Sequence, residues 1–134
     1  MKSVFVSLGS CCAFIGVALG AFGAHHLKAT LSPEALAVYQ TGITYQMWHA
    51  LGLIGIGLIQ NQAQNRMQDL KALNWAGWLM LCGIVLFSGS LYLLALSGIH
   101  WLGMITPFGG ICFLIAWLLL CYSAYTKKTT NRYQ

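Results

Sequence analysis

Charged residues are scarce in this sequence, with seven Lys or Arg and two Asp or Glu among 134 residues. They make up 7% of the chain, and apolar residues make up 58%, whereas a soluble domain carries about 25% charged residues. Because a soluble domain of this size must cover much of its surface with charge, the composition excludes that class. It also excludes a disordered chain, which would be poor in apolar residues, and a nucleic-acid binder, which needs a basic stripe. The sequence therefore predicts an integral membrane protein, with the lipid bilayer as its partner and no nucleic acid.

Motifs for catalysis and metal binding are also missing. The two carboxylates, Glu34 and Asp69, fall on opposite sides of the membrane in the topology predicted below, so they cannot form an acid–base pair. The sequence has no C-x-x-C, H-x-x-x-H, H-E-x-x-H or haem-attachment C-x-x-C-H motif. Its five cysteines all fall inside apolar runs, where a free Cys packs as a small apolar residue. We therefore expect no enzyme activity, no metal site and no bound cofactor.

Long apolar stretches are the dominant feature that is present. A helix needs about 20 apolar residues to cross the hydrocarbon layer of a bilayer. Four stretches meet this length within a single transmembrane domain, 1–134, and they cover about 4–24, 42–60, 72–96 and 103–125.

Two boundaries of these spans carry helix-start signals. The fourth span either begins at Pro107 with Thr106 as its cap, or begins earlier and kinks at Pro107. Ser32 is a good N-cap and Pro33 suits a first helical position. The sequence therefore predicts a short amphipathic helix at residues 32–41. The predicted fold class is all-α: an integral membrane four-helix bundle with a short amphipathic interfacial helix between spans one and two.

The cations fall almost entirely on one side of the predicted spans. An even number of spans places both termini on the same side, and Lys28 is the only cation predicted on the other side. Because Lys and Arg are enriched in cytoplasmic loops, we expect both termini in the cytoplasm. The six cations of that side are Lys2, Arg66, Lys71, Lys127, Lys128 and Arg132.

Small residues recur at helical spacing in several spans. Membrane helices associate by close packing, so small residues indicate where one helix contacts another. In span one they form a face that also includes Gly9 and Ala13. The same residues are suited to contacts with a second copy of the chain or with another membrane protein. The packing candidates are Gly16, Gly20 and Ala24 in span one, Gly83 in span three and Gly109 in span four.

Polar residues occur at depth in spans two and three. An ionisable residue such as His49 inside a membrane is a functional candidate, because it must face protein or water. The alternative is structural: a neutral His49 bonds a backbone carbonyl or a neighbouring Ser, and serines bond back to their own helix. The candidate polar cluster consists of His25, Tyr45, Gln46, His49, Ser88, Ser90 and Tyr92.

Four ordered motifs resemble a known family. They are G-A-F-G-A-H at 20–25, T-G-I-T-Y-Q-M-W-H at 41–49, F-S-G-S-L-Y at 87–92 and T-P-F-G-G at 106–110. This pattern resembles the domain-of-unknown-function family 423, also called uncharacterised protein family 0382. The resemblance implies a small four-helix protein of the bacterial inner membrane, and it implies no activity. The matching positions are His25, Tyr45, Gln46, His49, Ser88, Ser90, Tyr92, Thr106 and Pro107.

Three functions from different classes remain open. The leading hypothesis is a non-enzymatic membrane protein that serves structure, interaction or assembly, because packing faces are present and a chemical motif is not. The alternative is an oligomeric small transporter or channel subunit that uses the polar stripe around His49. A third hypothesis is a metal or haem accessory protein that uses His25 and His49, although their spacing gives no support for it.

Overall fold

All regular structure in the described residues is helical. A computed structural model of the chain describes residues 3–63 and 70–130. Two short 3₁₀ turns, Leu27–Ala29 and His100–Met104, precede α2 and α5, and a π-helical turn, Ile84–Ser88, joins α3 to α4. The α-helices are α1 (Val4–His25), α2 (Pro33–Ala63), α3 (Leu70–Gly83), α4 (Gly89–Ser97) and α5 (Thr106–Thr130).

Four helical segments are long and apolar enough to cross a membrane. The shortest have 26 residues, which is about 39 Å at 1.5 Å per residue and exceeds the roughly 30 Å of a bilayer's hydrocarbon core. The third segment combines α3, the π-helical turn and α4, and we call it the third span. The expected all-α membrane helical bundle is confirmed, with candidate spans at Val4–Ala29, Pro33–Gln62, Leu70–Ser97 and His100–Tyr125.

The start of α2 differs from the expectation of a separate short interfacial helix. Ser32 does act as the N-cap, since its hydroxyl accepts a hydrogen bond from the Ala35 N–H at 3.2 Å. The helix then continues without a break through Ala63. No proline follows Pro33 in this helix, and the glycine at position 42, where the sequence predicts that span two begins, is too weak a helix breaker to end it. The predicted amphipathic helix is therefore the first part of α2.

Packing divides the helices into an inner and an outer pair. In the most apolar 18-residue stretch of each span, 39% of the residues are buried for α2 and for the third span, and 17% are buried for α1 and for α5. Helix α1 packs along α2, and α5 packs along α3, while α2 also contacts α3 and α4. Helices α1 and α5 therefore present most of their surface to the surroundings.

Two apolar clusters fill the interior of the bundle. One contains Phe5, Leu53 and Met80 and lies near the ends at which α1 and α3 begin. The other contains Tyr39 and Ala95 and lies near the opposite end. Along α2, Gln46 and His49 lie between Tyr39 and Leu53, so the polar residues of the candidate cluster are placed between the two apolar clusters.

Candidate functional site

The buried polar side chains come from α2, the π-helical turn and α4. Gln46 is 4% exposed, His49 is 6% exposed and Ser88 is fully buried, and Ser90 is buried beside them. Polar side chains that are buried in a membrane protein must find hydrogen-bond partners inside the protein, because lipid offers none. Where these polar atoms bond therefore decides what the cluster can do.

Gln46 joins three helices through one side chain. Its Nε2 donates to the Cys12 carbonyl of α1 at 2.8 Å, and its Oε1 accepts from the Tyr92 hydroxyl of α4 at 2.8 Å. Because a backbone carbonyl can only accept, the first bond determines which end of the amide is the nitrogen. Both ends of the Gln46 amide are thus used in contacts between helices.

The hydrogen bond of His49 stays within its own helix. Its Nδ1 lies 2.6 Å from the Tyr45 carbonyl oxygen, one turn earlier. Since this oxygen accepts, Nδ1 carries the proton, and a neutral imidazole then has its lone pair on Nε2. The His49 ring lies flat against Phe113 of α5, with ring centroids 3.4 Å apart and planes 10° apart. Trp117 covers it further at 6.1 Å.

Aromatic rings from three elements form a continuous wall beside His49. Tyr45 stacks on Phe87 with ring centroids 4.5 Å apart, and Phe87 contacts Phe113 at 5.6 Å. The Tyr45 ring remains partly exposed at the edge of this wall. The imidazole therefore packs against aromatic rings, and its hydrogen bond goes to the Tyr45 carbonyl of its own helix.

The two serines of the third span behave differently from each other. The Ser90 hydroxyl lies 2.9 Å from the Phe87 carbonyl and 2.8 Å from the Thr106 hydroxyl, which connects α4 to the start of α5. The Ser88 hydroxyl, within the described residues, has no hydrogen-bond partner. In a regular helix a serine hydroxyl often bonds the carbonyl four residues earlier, which for Ser88 is that of Ile84. Ser88 ends the π-helical turn, and here the Ile84 carbonyl accepts from the Gly89 N–H.

The structure brings together part of the cluster that the sequence predicts. Gln46 and Tyr92 are bonded, and His49 and Tyr45 are in contact. The two serines do not bond span two, contrary to one of the alternatives. His25 is exposed at the end of α1 and does not join the others. Pro107 lies exposed in the first turn of α5, which begins at Thr106.

The packing glycines differ in how closely another helix approaches them. A Cβ at Gly16 would lie 2.7 Å from the Met47 sulfur, whereas at Gly20 the nearest atom is 3.8 Å away, and Ala24 is exposed. A Cβ at Gly9 would also have a neighbour at 2.7 Å, but there it is backbone, the Ala50 carbonyl oxygen of α2.

Helices α3 and α5 also cross closely, at the two glycines predicted for spans three and four. A Cβ at Gly83 would lie 3.1 Å from the Gly109 carbonyl oxygen. A Cβ at Gly109 would overlap the Phe87 backbone nitrogen. This crossing brings Phe113 and Phe87 to the aromatic wall.

Sequence reasoning missed two residues that shape the cluster. Tyr39 is buried, and its hydroxyl donates to the Leu19 carbonyl at 2.9 Å, which adds a second tie between α2 and α1. It lies seven residues before Gln46 on the same helix face, which is the signal that predicts a shared interface. Phe113, which covers His49, carries no comparable signal, because it is one of many apolar residues in α5.

Potential metal ligands are dispersed. Across residues 3–63 and 70–130, no group of three or more His, Cys, Asp or Glu side chains lies close enough to hold a metal ion. The cysteines of this part of the chain are free. The polar cluster is thus built from amide, hydroxyl, imidazole and backbone groups.

Comparison with known proteins confirms the resemblance seen in the sequence. The model of a family described as "Protein of unknown function (DUF423)" matches residues 19–110. A UPF0382 membrane protein of Staphylococcus haemolyticus is 46% identical over 122 residues, which are 91% of this chain and 95% of that protein. The UPF0382 membrane protein YwdK of Bacillus subtilis is 44% identical over 121 residues, or 90% and 95% of the two chains. No solved structure matches. The chain belongs to the DUF423 family, whose relatives carry the name UPF0382 membrane proteins.

Proposed function

We propose that this membrane protein is non-enzymatic and acts as a structural or assembly subunit through contacts in the plane of the membrane. The observation that carries the proposal is the use of Gln46. Both ends of its amide are bonded to other helices, so this buried amide ties α2 to α1 and α4. The cluster therefore has a structural purpose that requires no substrate.

The surroundings of His49 support the same proposal. Its Nδ1 proton is donated to its own helix, and its ring is covered by Phe113 and Trp117. A transport path needs polar groups that exchange their partners with water or substrate. An imidazole that is 6% exposed and faces aromatic rings does not suit that role.

The outer surfaces of the bundle offer the contacts that an assembly role requires. Phe14 and Val17 on α1 are exposed, and so are Leu114 and Leu118 on α5. These faces contact lipid or the helix of a partner, which is either another membrane protein or a second copy of the chain. No charged residue interrupts α1 from Val4 to Ala24.

The proposed location is the bacterial inner membrane, with both termini in the cytoplasm. The two relatives named above come from bacteria, and the cation distribution along the sequence supports the orientation. Lys28 and Lys71 lie in the described part at opposite ends of the spans. Lys2, Arg66 and Arg132 lie outside the described residues, as do the side chains of Lys127 and Lys128.

One observation favours the second candidate function, a subunit of an oligomeric transporter or channel. The third span contains a π-helical turn that ends at the fully buried Ser88. Such turns occur frequently at functional sites, and a buried hydroxyl without a partner calls for an explanation. Ser88 follows Phe87, which belongs to the aromatic wall beside His49. The third candidate, a metal or haem accessory role, gains no comparable support.

Cysteine accessibility distinguishes the first two candidates. In a variant without native cysteines, single substitutions His49→Cys, Leu53→Cys and Trp101→Cys are exposed in intact membranes to a membrane-impermeant maleimide. Trp101 is exposed and Leu53 is fully buried, so they are the accessible and inaccessible controls. We expect labelling at position 101 and none at positions 49 and 53. Labelling at 49 well above that at 53 would reject the structural proposal and favour a water-filled path.

A further inference from the structure

A strip of one cation and two tryptophans runs along α3 at the end of the bundle where this helix begins. Lys71, Trp75 and Trp78 follow at steps of four and three, which places them on one helix face. All three are exposed, with Trp75 at 64% and Trp78 at 47%. We call these three residues the basic aromatic strip.

The neighbouring helix adds aromatic residues at the same depth. As residue numbers rise along the third span they fall along α5, since Gly83 lies against Phe113 and Phe87 lies against Gly109. The later residues of α5 therefore reach the end at which α3 begins. Tyr122 and Tyr125 are exposed there. Aromatic residues with a polar tip are enriched at this level of a membrane, where one end is apolar and the other is wet.

Part of the strip is held in place before any partner binds. The Trp78 ring packs edge-on against Phe5 of α1, with ring centroids 5.5 Å apart and planes 75° apart. The Phe5 ring in turn occupies the space above Gly77, where a Cβ would overlap it. Because Trp78 is fixed while almost half of it stays exposed, a ligand that contacts it has less side-chain entropy to remove.

The length of the strip fits the interfacial layer of a bilayer. Seven residues separate Lys71 from Trp78, which is about 10 Å along a helix. The headgroup layer of one leaflet is about 5–8 Å thick. When Trp78 lies at the edge of the hydrocarbon, Trp75 lies within the headgroup layer, and Lys71 starts at the outer boundary of that layer, from which its long side chain reaches back to the phosphates.

Charge selects the kind of lipid. Lys71 begins the strip, and the sequence within five residues on its N-terminal side contains one more cation, Arg66, and one acid, Asp69. Lys127 and Lys128 follow Tyr125 in the sequence. Such an excess of cations at one membrane face attracts lipids with a net negative charge. A zwitterionic lipid has no net charge and is not attracted by this excess of cations.

We propose that the basic aromatic strip binds an anionic phospholipid. The Lys71 ammonium meets the headgroup phosphate, and the indoles of Trp75 and Trp78 lie against the glycerol and the first acyl carbons. An ammonium has three N–H groups, so a contact that Lys71 makes within the protein still leaves donors for a phosphate. This interaction is independent of the structural role proposed above.

Lipid binding to the purified full chain in a neutral detergent tests the proposal. Native mass spectrometry compares the affinity for phosphatidylglycerol with that for phosphatidylcholine of the same acyl chains, and inorganic phosphate is added alone as a further probe. We expect tighter binding of phosphatidylglycerol. Lys71→Gln should lower that affinity about fivefold, the loss of roughly one surface cation. Trp75→Leu should lower the affinity for both lipids, since it removes an indole that holds the glycerol region.

Two control variants and three outcomes complete the test. Lys28→Gln and Trp101→Leu change an exposed cation and an exposed tryptophan at the opposite end of the bundle, and both should retain the affinity of the parent. Equal affinity for the two lipids would overturn the proposal. So would equal losses from Lys71→Gln and Lys28→Gln, or displacement of phosphatidylglycerol by inorganic phosphate at the same concentration.

Discussion

Gln46 is a single neutral side chain that bonds two neighbouring helices at once. An amide supplies a donor and an acceptor without a charge, so it bonds two neighbouring helices at no cost of burying an ion. Interhelical hydrogen bonds in membranes contribute about 0.6 kcal/mol each on average. Loss of one partner costs more, because it leaves the other buried and unbonded. The Tyr92 hydroxyl depends on Gln46 in this way, whereas the Cys12 carbonyl lies within α1 and keeps its helical hydrogen bond.

Substitution of Gln46 should therefore lower stability in a graded manner. We expect Gln46→Leu to lower the free energy of unfolding by about 1–2 kcal/mol, because it removes two interhelical bonds and leaves the Tyr92 hydroxyl without its partner. Tyr92→Phe should cost about half as much, since it removes one of these bonds and keeps the ring that packs on Gly42 and Tyr39. Unfolding in detergent, followed by circular dichroism, measures both. Equal losses from the two variants would contradict a tie that runs through both ends of the amide.

Substitution of His49 should be milder than its burial suggests. If its partner were a serine on another helix, His49→Leu would cost about 1–3 kcal/mol by orphaning that partner. Its Nδ1 partner is instead the Tyr45 carbonyl, which α2 already uses in its own helical hydrogen bonds. We therefore expect His49→Leu and His49→Gln each to cost less than about 1 kcal/mol in the same unfolding assay. A loss above about 2 kcal/mol from His49→Leu would indicate a further partner on Nε2.

The chemistry of these residues was predictable from the sequence, but their partners were not. A Gln and a His inside an apolar helix stand out from any neighbouring residue, so the stripe is visible. The groups that they bond depend on how far each neighbouring helix is rotated and shifted along its axis. Neither quantity can be predicted from the sequence of one helix. The sequence likewise leaves open whether the serines bond their own helix or span two, and Ser90 bonds the Phe87 carbonyl of its own span and the Thr106 hydroxyl.

At the level of single elements, helical spacing predicts a packing face but not its point of closest approach. The small residues of α1 recur at steps of three and four, and the sharpest part of the pattern lies at Gly16, Gly20 and Ala24. Near that end α1 faces a side chain of α2, since a Cβ at Gly23 would lie 2.7 Å from the Tyr39 ring, and Ala24 is exposed, whereas Gly9 lies against the α2 backbone. This difference depends on side chains of both helices, which spacing along α1 alone does not show.

A methyl group added along α1 should be tolerated at one glycine and not at another. At Gly9 a Cβ would lie 2.7 Å from the Ala50 carbonyl oxygen and 2.9 Å from the Ile54 nitrogen, both of which belong to backbone and cannot turn away. We expect Gly9→Ala to cost about 1–3 kcal/mol of stability in detergent. Gly20→Ala should be neutral or slightly stabilising, since it meets only ordinary contacts and alanine favours a helix.

A change on the opposite face of α1 is the control for this pair. Val17 is 63% exposed, so Val17→Leu should leave the thermal unfolding midpoint unchanged. Equal tolerance of Gly9→Ala and Gly20→Ala would mean that α1 does not pack on α2 at Gly9.

Two features of the elements had no reliable sequence signal. Helix α2 runs without interruption through a boundary that composition places near residue 42, because a change from interfacial to buried residues does not require a break in the backbone. The π-helical turn Ile84–Ser88 likewise arises in an ordinary apolar segment that contains no proline. The long apolar runs, in contrast, are set by the thickness of the bilayer, which is why the four spans were predictable.

At the scale of the whole molecule, the arrangement of inner and outer helices separates two tasks. Helix α2 and the third span hold the buried polar groups and the tight crossings, so they maintain the fold. Helices α1 and α5 each pack mainly on one neighbour and expose their remaining faces. Changes on those outer faces should therefore affect contacts with lipid or partners before they affect stability.

The orientation of the whole chain in the membrane is the last prediction. Four spans would return the chain to the side where it starts, so we expect both termini and the connection between α2 and α3 on one side. By this topology that side has six of the seven cations, and Lys28 alone is predicted on the other. Because cations resist translocation, reporters fused after Gln134 and after Met67, which lie outside the described residues, should read as cytoplasmic. A reporter inserted within 29–32 should read as external, and Lys28→Gln should not alter any of the three. A C-terminal reporter that is active only outside the cytoplasm would show that the chain is inverted.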